Sequence, residues 1–204
     1  MSAAAQTRIK RIGIYSGTFD PVHTGHVAFA IQALQVAKLD EIYFLPERQP
    51  RDKQGVAHFA HRVAMLNRAA RPYPQFHVLE LTDISFSVER TLPKLHRRFS
   101  GNQLVFLFGS DIIAGLMSWP KVERLLNKCE LVIGVRNKYD IEGVKRQITE
   151  WPIQPANLTI FVSYAPDVSS GNVREALRRR ENVHGLLSSV QRYSDHNWLY
   201  VSFS

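Results

Sequence analysis

Ser16-Gly17-Thr18-Phe19-Asp20-Pro21-Val22-His23-Thr24-Gly25-His26 follows the apolar run Ile12-Gly13-Ile14-Tyr15 and precedes Val27-Ala28-Phe29-Ala30-Ile31-Gln32-Ala33-Leu34. The first run reads as a buried strand. In the last, Val27, Ala30, Ile31 and Leu34 recur at helical spacing. The chain therefore turns from strand to helix inside this stretch, where backbone N–H groups without intrahelical partners and the positive end of a helix dipole face one point. Such a point suits phosphate. Gly17 lets backbone approach a ligand closely, and Pro21 disfavours the helical region for Asp20 before it. His23 and His26, three apart at the helix start, share one face. Each imidazole can donate to phosphate oxygens and can be neutral or cationic near neutral pH. The plain alternative is a polar turn with two surface histidines; the pair together with its glycines and the strand in front favours phosphate.

Working outward, strands are expected at 41–46, 76–81, 104–111, 131–136 and 158–162, and helices at 58–70, from 85 onward, at 140–149, from 169 onward and at 183–195. The apolar strand ending in Gly109-Ser110-Asp111 suggests a parallel sheet covered on both faces. Alternating strands and helices imply right-handed βαβ units in one α/β, doubly wound, Rossmann-like sheet. No repeat, low-complexity segment or linker divides the chain, so residues 1–204 are expected to form one domain, with 1–8 a frayed tail and 175–204 a C-terminal helical part packed on it.

Further candidates lie where open α/β sheets place ligands, at the carboxyl ends of strands. Arg48, Arg51 and Lys53 in the loop after the second strand could reach phosphate oxygens, Arg being suited to bidentate contact; a solvated loop is the alternative for each. Asp111 could accept from a ribose or cap the following helix, and Trp119 could stack on a heterocycle or serve as a core aromatic. Ser169, Ser170 and Arg174 at a second helix start form a second anion-binding corner. His58 and His61 have no acidic or cysteine neighbours and read as a half-exposed helix face rather than a metal pair.

Composition bounds the class. With 204 residues, 45% hydrophobic and 22% charged, the chain suits a globular domain with a sizeable core. No apolar run approaches the ~20 residues of a membrane span, and the first residues lack the apolar stretch of a signal peptide. The lone Cys129 cannot form an internal disulfide, which fits a reducing cytoplasm. The net charge of +8 suits polyanionic small molecules as well as nucleic acid. The basic residues are dispersed and no nucleic-acid module appears, so no specific nucleic-acid partner is expected. Oligomeric state stays open, a homo-oligomer included.

Gly17-Thr18-Phe19-Asp20-Pro21-x-His23-x-Gly25-His26 resembles the signature of the nucleotidyltransferase superfamily, with its Rossmann-like fold and His-x-x-His pair. The resemblance covers almost the whole chain and is greatest toward the bacterial nicotinate-nucleotide adenylyltransferase family. Phe108-Gly109-Ser110-Asp111 and Trp119 resemble its mononucleotide-binding strand and stacking tryptophan. Cys129 to Arg136 resembles its next strand, Val168 to Arg174 its triphosphate-gripping block, and Val190 to Tyr200 its terminal helix and Leu-Tyr.

The resemblance implies transfer of AMP from ATP to nicotinate mononucleotide, giving deamido-NAD and pyrophosphate. It places ATP against Ser16, Gly17, Thr18, Phe19, His23, His26, Ser169, Ser170 and Arg174, with Lys53 assisting from its loop. His26 is assigned to the α-phosphate, His23 to the bridging region and β-phosphate, and Ser169, Ser170 and Arg174 to the β- and γ-phosphates. The acceptor falls to Ser85, Gly109, Asp111, Trp119 and Arg136. Mg2+ is expected mainly on the ATP phosphates, with no protein metal site. Ser16 stands where the family usually has glycine, Pro50-Arg51-Asp52-Lys53 loses the histidine of Pro-Pro-His-Lys, and Ser85-Phe86-Ser87 replaces Ser-Tyr-Thr. These departures fall mostly on the acceptor side. Nicotinamide mononucleotide, another phosphate acceptor, or a non-catalytic nucleotide- or RNA-binding role remain the alternatives.

Overall fold

The computed structural model describes residues 8–51, 53–164 and 168–201. Six parallel strands form a sheet in the order β3-β2-β1-β4-β5-β6: β1 Arg11–Gly17, β2 Glu41–Pro46, β3 Phe76–Val78, β4 Gln103–Gly109, β5 Glu130–Val135 and β6 Asn157–Val162. The helices are α1 Thr24–Val36, α2 Phe59–Ala70, α3 Thr91–Arg98, α4 Ile113–Leu116, α5 Val122–Lys128, α6 Tyr139–Thr149, α7 Ser170–Arg179 and α8 Ser188–His196, with a 3-10 turn at Ser110–Ile112. The chain works outward from β1 to β3, then crosses back to β4, so β1 and β4 are neighbours whose crossovers leave in opposite directions. A crevice opens at the carboxyl ends of strands at such a switch point.

Strand alternation distributes the core. Ile12, Ile14, Leu104, Phe106, Leu131 and Ile133 face a layer built from α3 to α6, where Leu92, Leu95, Leu116, Leu125 and Ile148 are buried. Val105, Leu107 and Val132 face the other layer, with Ala30 and Ala33 of α1, Met65 and Leu66 of α2 and Val190 of α8. The sheet is thus covered on both faces, as its near-continuous apolar strands require.

Polar groups secure the edges. Arg11 at the start of β1 donates from both terminal nitrogens to Glu130 of β5 at 2.6 and 2.7 Å, spanning the intervening β4. Buried Gln32 of α1 donates to Val162 O at 2.9 Å and accepts from Tyr164 N–H at 2.9 Å, fixing the exit of β6.

Several boundaries differ from expectation. β3 ends at Val78 rather than 81. The helix expected from residue 85 begins at Thr91, because Ser87 N–H donates to Thr91 Oγ1 and Ser87 O accepts from Thr91 N–H, which makes 85–90 a turn. β4 stops at Gly109, and Ser110 and Asp111 open the 3-10 turn. The helix expected at 183–195 starts at Ser188, since Gly185 lies at φ +78° and its carbonyl accepts from Thr24 N–H. Of the expected tail, residues 1–7 lie outside the described residues, while Arg8 holds Asp40 at 2.7 Å. Among the described residues no helix is long and apolar enough to cross a membrane.

Candidate active site

β1 ends at Gly17, and the chain loops through Phe19, at φ 51°, into α1. Phe19 is 2% exposed, and its ring folds back over Gly17, where an added Cβ would lie 3.1 Å from it. The glycine thus leaves the Phe19 ring its place in the loop's own packing. His23 is the N-cap of α1 and His26 its third helical residue. Their rings stack at 3.7 Å between centroids, and His23 N–H donates to His26 Nδ1 at 3.2 Å. With Nδ1 accepting, neutral His26 carries its proton on Nε2.

Burial lowers the His23 pKa to about 4. It lowers His26 well below the usual value, with the neighbouring His23 and the Lys53 ammonium adding to the effect. Both rings are neutral donors near pH 7 rather than cations. His23 Nδ1 is buried without a partner.

These rings open on a cavity of about 650 Å³ above the carboxyl ends of β1, β4, β5 and β6. Its other walls bring distant residues together. Lys53 reaches in from the loop after β2 and donates to Thr18 Oγ1 at 2.9 Å. The start of α7 closes one side: Ser169 is its N-cap and accepts from Asn172 N–H, and Ser170 Oγ donates to Pro21 O at 3.0 Å. Arg174, one turn in, donates to Asp20 O at 2.6 Å. Two helix N-termini and two cationic side chains therefore face one space, the arrangement that favours a polyphosphate.

Opposite them stand Gly109, Asp111, Gly134 and Arg136. A Cβ on Gly109 would lie 2.7 Å from Asp111 Oδ1, and one on Gly134 would overlap the Phe29 ring. Both glycines make room for a neighbour that shapes the cavity.

The expected residues do not all meet. Thr18, His23, His26, Lys53, Ser169, Ser170 and Arg174 line the cavity, as do Gly109, Asp111 and Arg136. Ser85 and Trp119, expected on the acceptor side with Arg136, do not line it. Ser85 is 8% exposed beside Arg51 Nε, and Trp119 packs on Phe86 and Phe108 in the layer of α3 to α6. Ser16, Gly17 and Phe19 likewise stand behind the wall, and Ser16 Oγ is buried without a partner. Arg48 and Arg51 turn away from the cavity to donate to the carbonyls of Leu81 and Phe86. Asp52 and Asp167 lie outside the described residues.

Four residues around the site are not among the sequence candidates. Asp20, read as loop punctuation, is 2% exposed and accepts from Tyr200 Oη–H at 2.6 Å. Arg62 is 1% exposed and donates to the carbonyls of Thr18, Arg48 and Ala57 at 2.7, 3.0 and 2.9 Å, joining the two phosphate-side loops. A cation on the apolar face of α2, beside Met65, Leu66 and Ala69, was the signal available for it. Gly134 amid the large residues of β5 was another, since an isolated strand glycine marks a close approach. Tyr200 is marked only as the end of the Leu-Tyr that resembles the family's, with no sign of its contact to Asp20.

The cytidylyltransferase-like family model matches residues 14–176. A nicotinate-nucleotide adenylyltransferase of Bacillus subtilis (strain 168) is 34% identical over 202 residues, covering 95% of this chain and 100% of that one. Among solved structures, a Plasmodium falciparum nicotinic acid mononucleotide adenylyltransferase complexed with NaAD superposes with a TM-score of 0.75 at 22% identity, covering 94% of this chain and 97% of the other. The same enzyme complexed with APC gives 0.75 at 19% identity over the same shares.

Proposed function

The chain belongs to the cytidylyltransferase-like family, and on that basis we propose that it transfers AMP from ATP to nicotinate mononucleotide, forming deamido-NAD and releasing pyrophosphate. The observation that carries this is the stacked neutral pair His23 and His26 at the start of α1, sharing its cavity with Lys53, Arg174 and the start of α7.

The reaction is an in-line displacement. An oxygen of the acceptor phosphate attacks the α-phosphorus of ATP, its bond to that phosphorus forms, and the bond to the pyrophosphate oxygen breaks. The chain supplies no covalent nucleophile; it positions two anions and stabilises charge growing on the phosphoryl oxygens. His26 Nε2–H donates to the α-phosphate, and His23 serves the bridging region and β-phosphate. Ser169, Ser170 and Arg174 take the β- and γ-phosphates, and Lys53 approaches from its loop. As neutral donors, the histidines add hydrogen bonds without holding a proton that must be released after each turnover. Gly109, Asp111 and Arg136 form the wall left for the acceptor side.

Nucleotidyltransferases of this family generally use Mg2+. Among the described residues no group of three or more His, Cys, Asp or Glu could hold a metal, and Asp20 is engaged by Tyr200 and Ala57. That donor set fits an ion carried mainly on the triphosphate, with its waters, rather than one caged by side chains of the described residues. There it would neutralise phosphate charge.

Pyrophosphate release from ATP, measured with nicotinate mononucleotide and nicotinamide mononucleotide side by side, tests the reading. Release with strong preference for the nicotinate form is expected. Preference for the amide would keep the chemistry and change the acceptor. No release with either, from folded protein that binds ATP, would overturn the enzymatic reading.

A further inference from the structure

Tyr200 lies at the far end of the chain from the phosphate loop, yet its hydroxyl donates to Asp20 Oδ1 at 2.6 Å. The same oxygen accepts from Ala57 N–H at 3.2 Å. The other carboxylate oxygen stands 3.7 Å from Arg174 Nη1, and that nitrogen makes its short bond, 2.6 Å, to the main-chain oxygen of Asp20. Arg174 is thus held close by a neutral carbonyl and only loosely by a buried charge.

The backbone around Tyr200 is unusual. Trp198 and Tyr200 adopt φ of 52° and 64°, a region that bulky residues occupy rarely and at a cost in strain. Trp198 is 67% exposed, so its own packing does not repay that conformation. What the turn delivers is the Tyr200 hydroxyl to Asp20. Burial, with the Asp20 charge beside it, pushes the Tyr200 phenol far above its ordinary pKa, so it stays a donor.

Without the hydroxyl, this buried carboxylate would keep only the longer bond from Ala57 N–H. With Arg62 committed to three carbonyls, it would close on Arg174, 3.7 Å away, because charge-assisted pairs at short range are the strongest available. Arg174 would then be drawn off the cavity. We propose that Tyr200 is a positioning residue: by holding Asp20 Oδ1, its hydroxyl keeps Arg174 available to the triphosphate. The proposal rests on the reading of Arg174 as a phosphate ligand.

The experiment compares wild type, Tyr200→Phe, Asp20→Asn and the double variant. Binding of a non-hydrolysable ATP analogue with Mg2+ is measured by calorimetry, and KM and kcat by pyrophosphate release. Tyr200→Phe is expected to fold and to weaken analogue binding and raise KM for ATP by roughly tenfold, the scale of one charge-assisted bond. The acceptor KM and kcat at saturating ATP should stay within about twofold, a pattern that separates positioning of a ground-state ligand from general damage. On the Asp20→Asn background, where no charge pulls on Arg174, Tyr200→Phe should have no further effect. Unchanged ATP affinity in Tyr200→Phe, or an equal loss on both backgrounds, would overturn the proposal. So would failure of Tyr200→Phe to fold, which assigns the hydroxyl to stability. Wild type that binds no analogue would instead overturn the phosphate-site reading, and the proposal with it.

Discussion

The imidazoles of His23 and His26 stack at 3.7 Å with 34° between their planes, and the peptide N–H of His23 binds the bare Nδ1 of His26. Two cations at this separation would repel strongly in a partly dry site. Protonating His26 on Nδ1 would also remove the acceptor that His23 N–H uses. The pair is therefore an arrangement of neutral rings, and this has a consequence for stability. The unfolded His23 takes its proton near pH 6.5 and the folded one near 4. Between these values the unfolded chain binds more protons, so the stability is complete above 6.5 and is lost as pH falls toward 4, by roughly 3 kcal/mol for His23. Melting temperature followed from pH 8 to 4 should show this fall, and His23→Gln should flatten it. An equally steep fall in the variant would refute the assignment, as would ring-nitrogen NMR showing either histidine titrating near 6.5.

His26→Ala removes the donor assigned to the α-phosphate and leaves Lys53, Arg174 and the two helix N-termini in place. Turnover should fall by at least roughly two orders of magnitude, the usual loss for an electrostatic stabiliser, while affinity for a non-hydrolysable ATP analogue changes far less. Single-turnover rates beside calorimetric binding would check both. A folded variant with near-wild-type turnover would remove His26 from the reaction.

Arg62 binds three carbonyls, of Thr18, Arg48 and Ala57, from a position 1% exposed to solvent. Arg62→Leu would strand those acceptors, and each buried unsatisfied group costs about 1–3 kcal/mol, so a loss of at least roughly 3 kcal/mol in chemical denaturation is expected. Arg62→Lys keeps the charge but lacks the planar fork that reaches both loops. It should recover only part of the loss and leave KM for ATP raised. Full recovery by lysine would show that charge rather than geometry is what the loops need.

Gln32 of α1 uses its amide in both senses against the exit of β6, at Val162 O and Tyr164 N–H. Gln32→Leu would fill the space but leave both backbone groups unpaired, costing roughly 2 kcal/mol. It should also speed hydrogen exchange at Tyr164 selectively. Uniform acceleration across the sheet would instead indicate a global loss of stability.

What could be read from the sequence was what local physics decides. The strand–loop–helix at Gly17 to His26, the apolar strand before Gly109 and the hydroxyl-rich start of α7 announce themselves by composition and spacing, and all three meet at one cavity. The helices expected from 85 and 183 begin later, at Thr91 and Ser188, because a side-chain-to-backbone bond between Ser87 and Thr91 and the bond from Thr24 N–H of α1 to the Gly185 carbonyl override local pattern. Trp119 and Ser85 could not be assigned to a sheet face, since periodicity does not say which layer a loop residue joins. Asp20 with Tyr200 is purely tertiary: the two lie at opposite ends of the chain, and no spacing rule connects them.

Gly134 shows how tightly the cavity wall depends on such tertiary fits. It sits in β5 with its Cα facing Phe29 of α1, and an added methyl would overlap that ring, with Cδ2 2.7 Å away. Phe29 is itself wedged between Tyr15 and Phe161, at centroid distances of 4.9 and 5.2 Å, so it cannot simply swing aside. Overpacking of this kind costs about 1–3 kcal/mol. Gly134→Ala should lower the melting temperature and weaken ATP-analogue binding together, because Phe29, Tyr15 and Gly134 all border the cavity. Phe29→Leu in the same chain removes the ring edge that the methyl would strike. The double variant should therefore be more stable than the sum of the two single losses predicts, by about 1 kcal/mol in a double-mutant cycle. Simple additivity would mean that the alanine is absorbed by backbone movement of β5, and that Phe29 is not what requires glycine at this position.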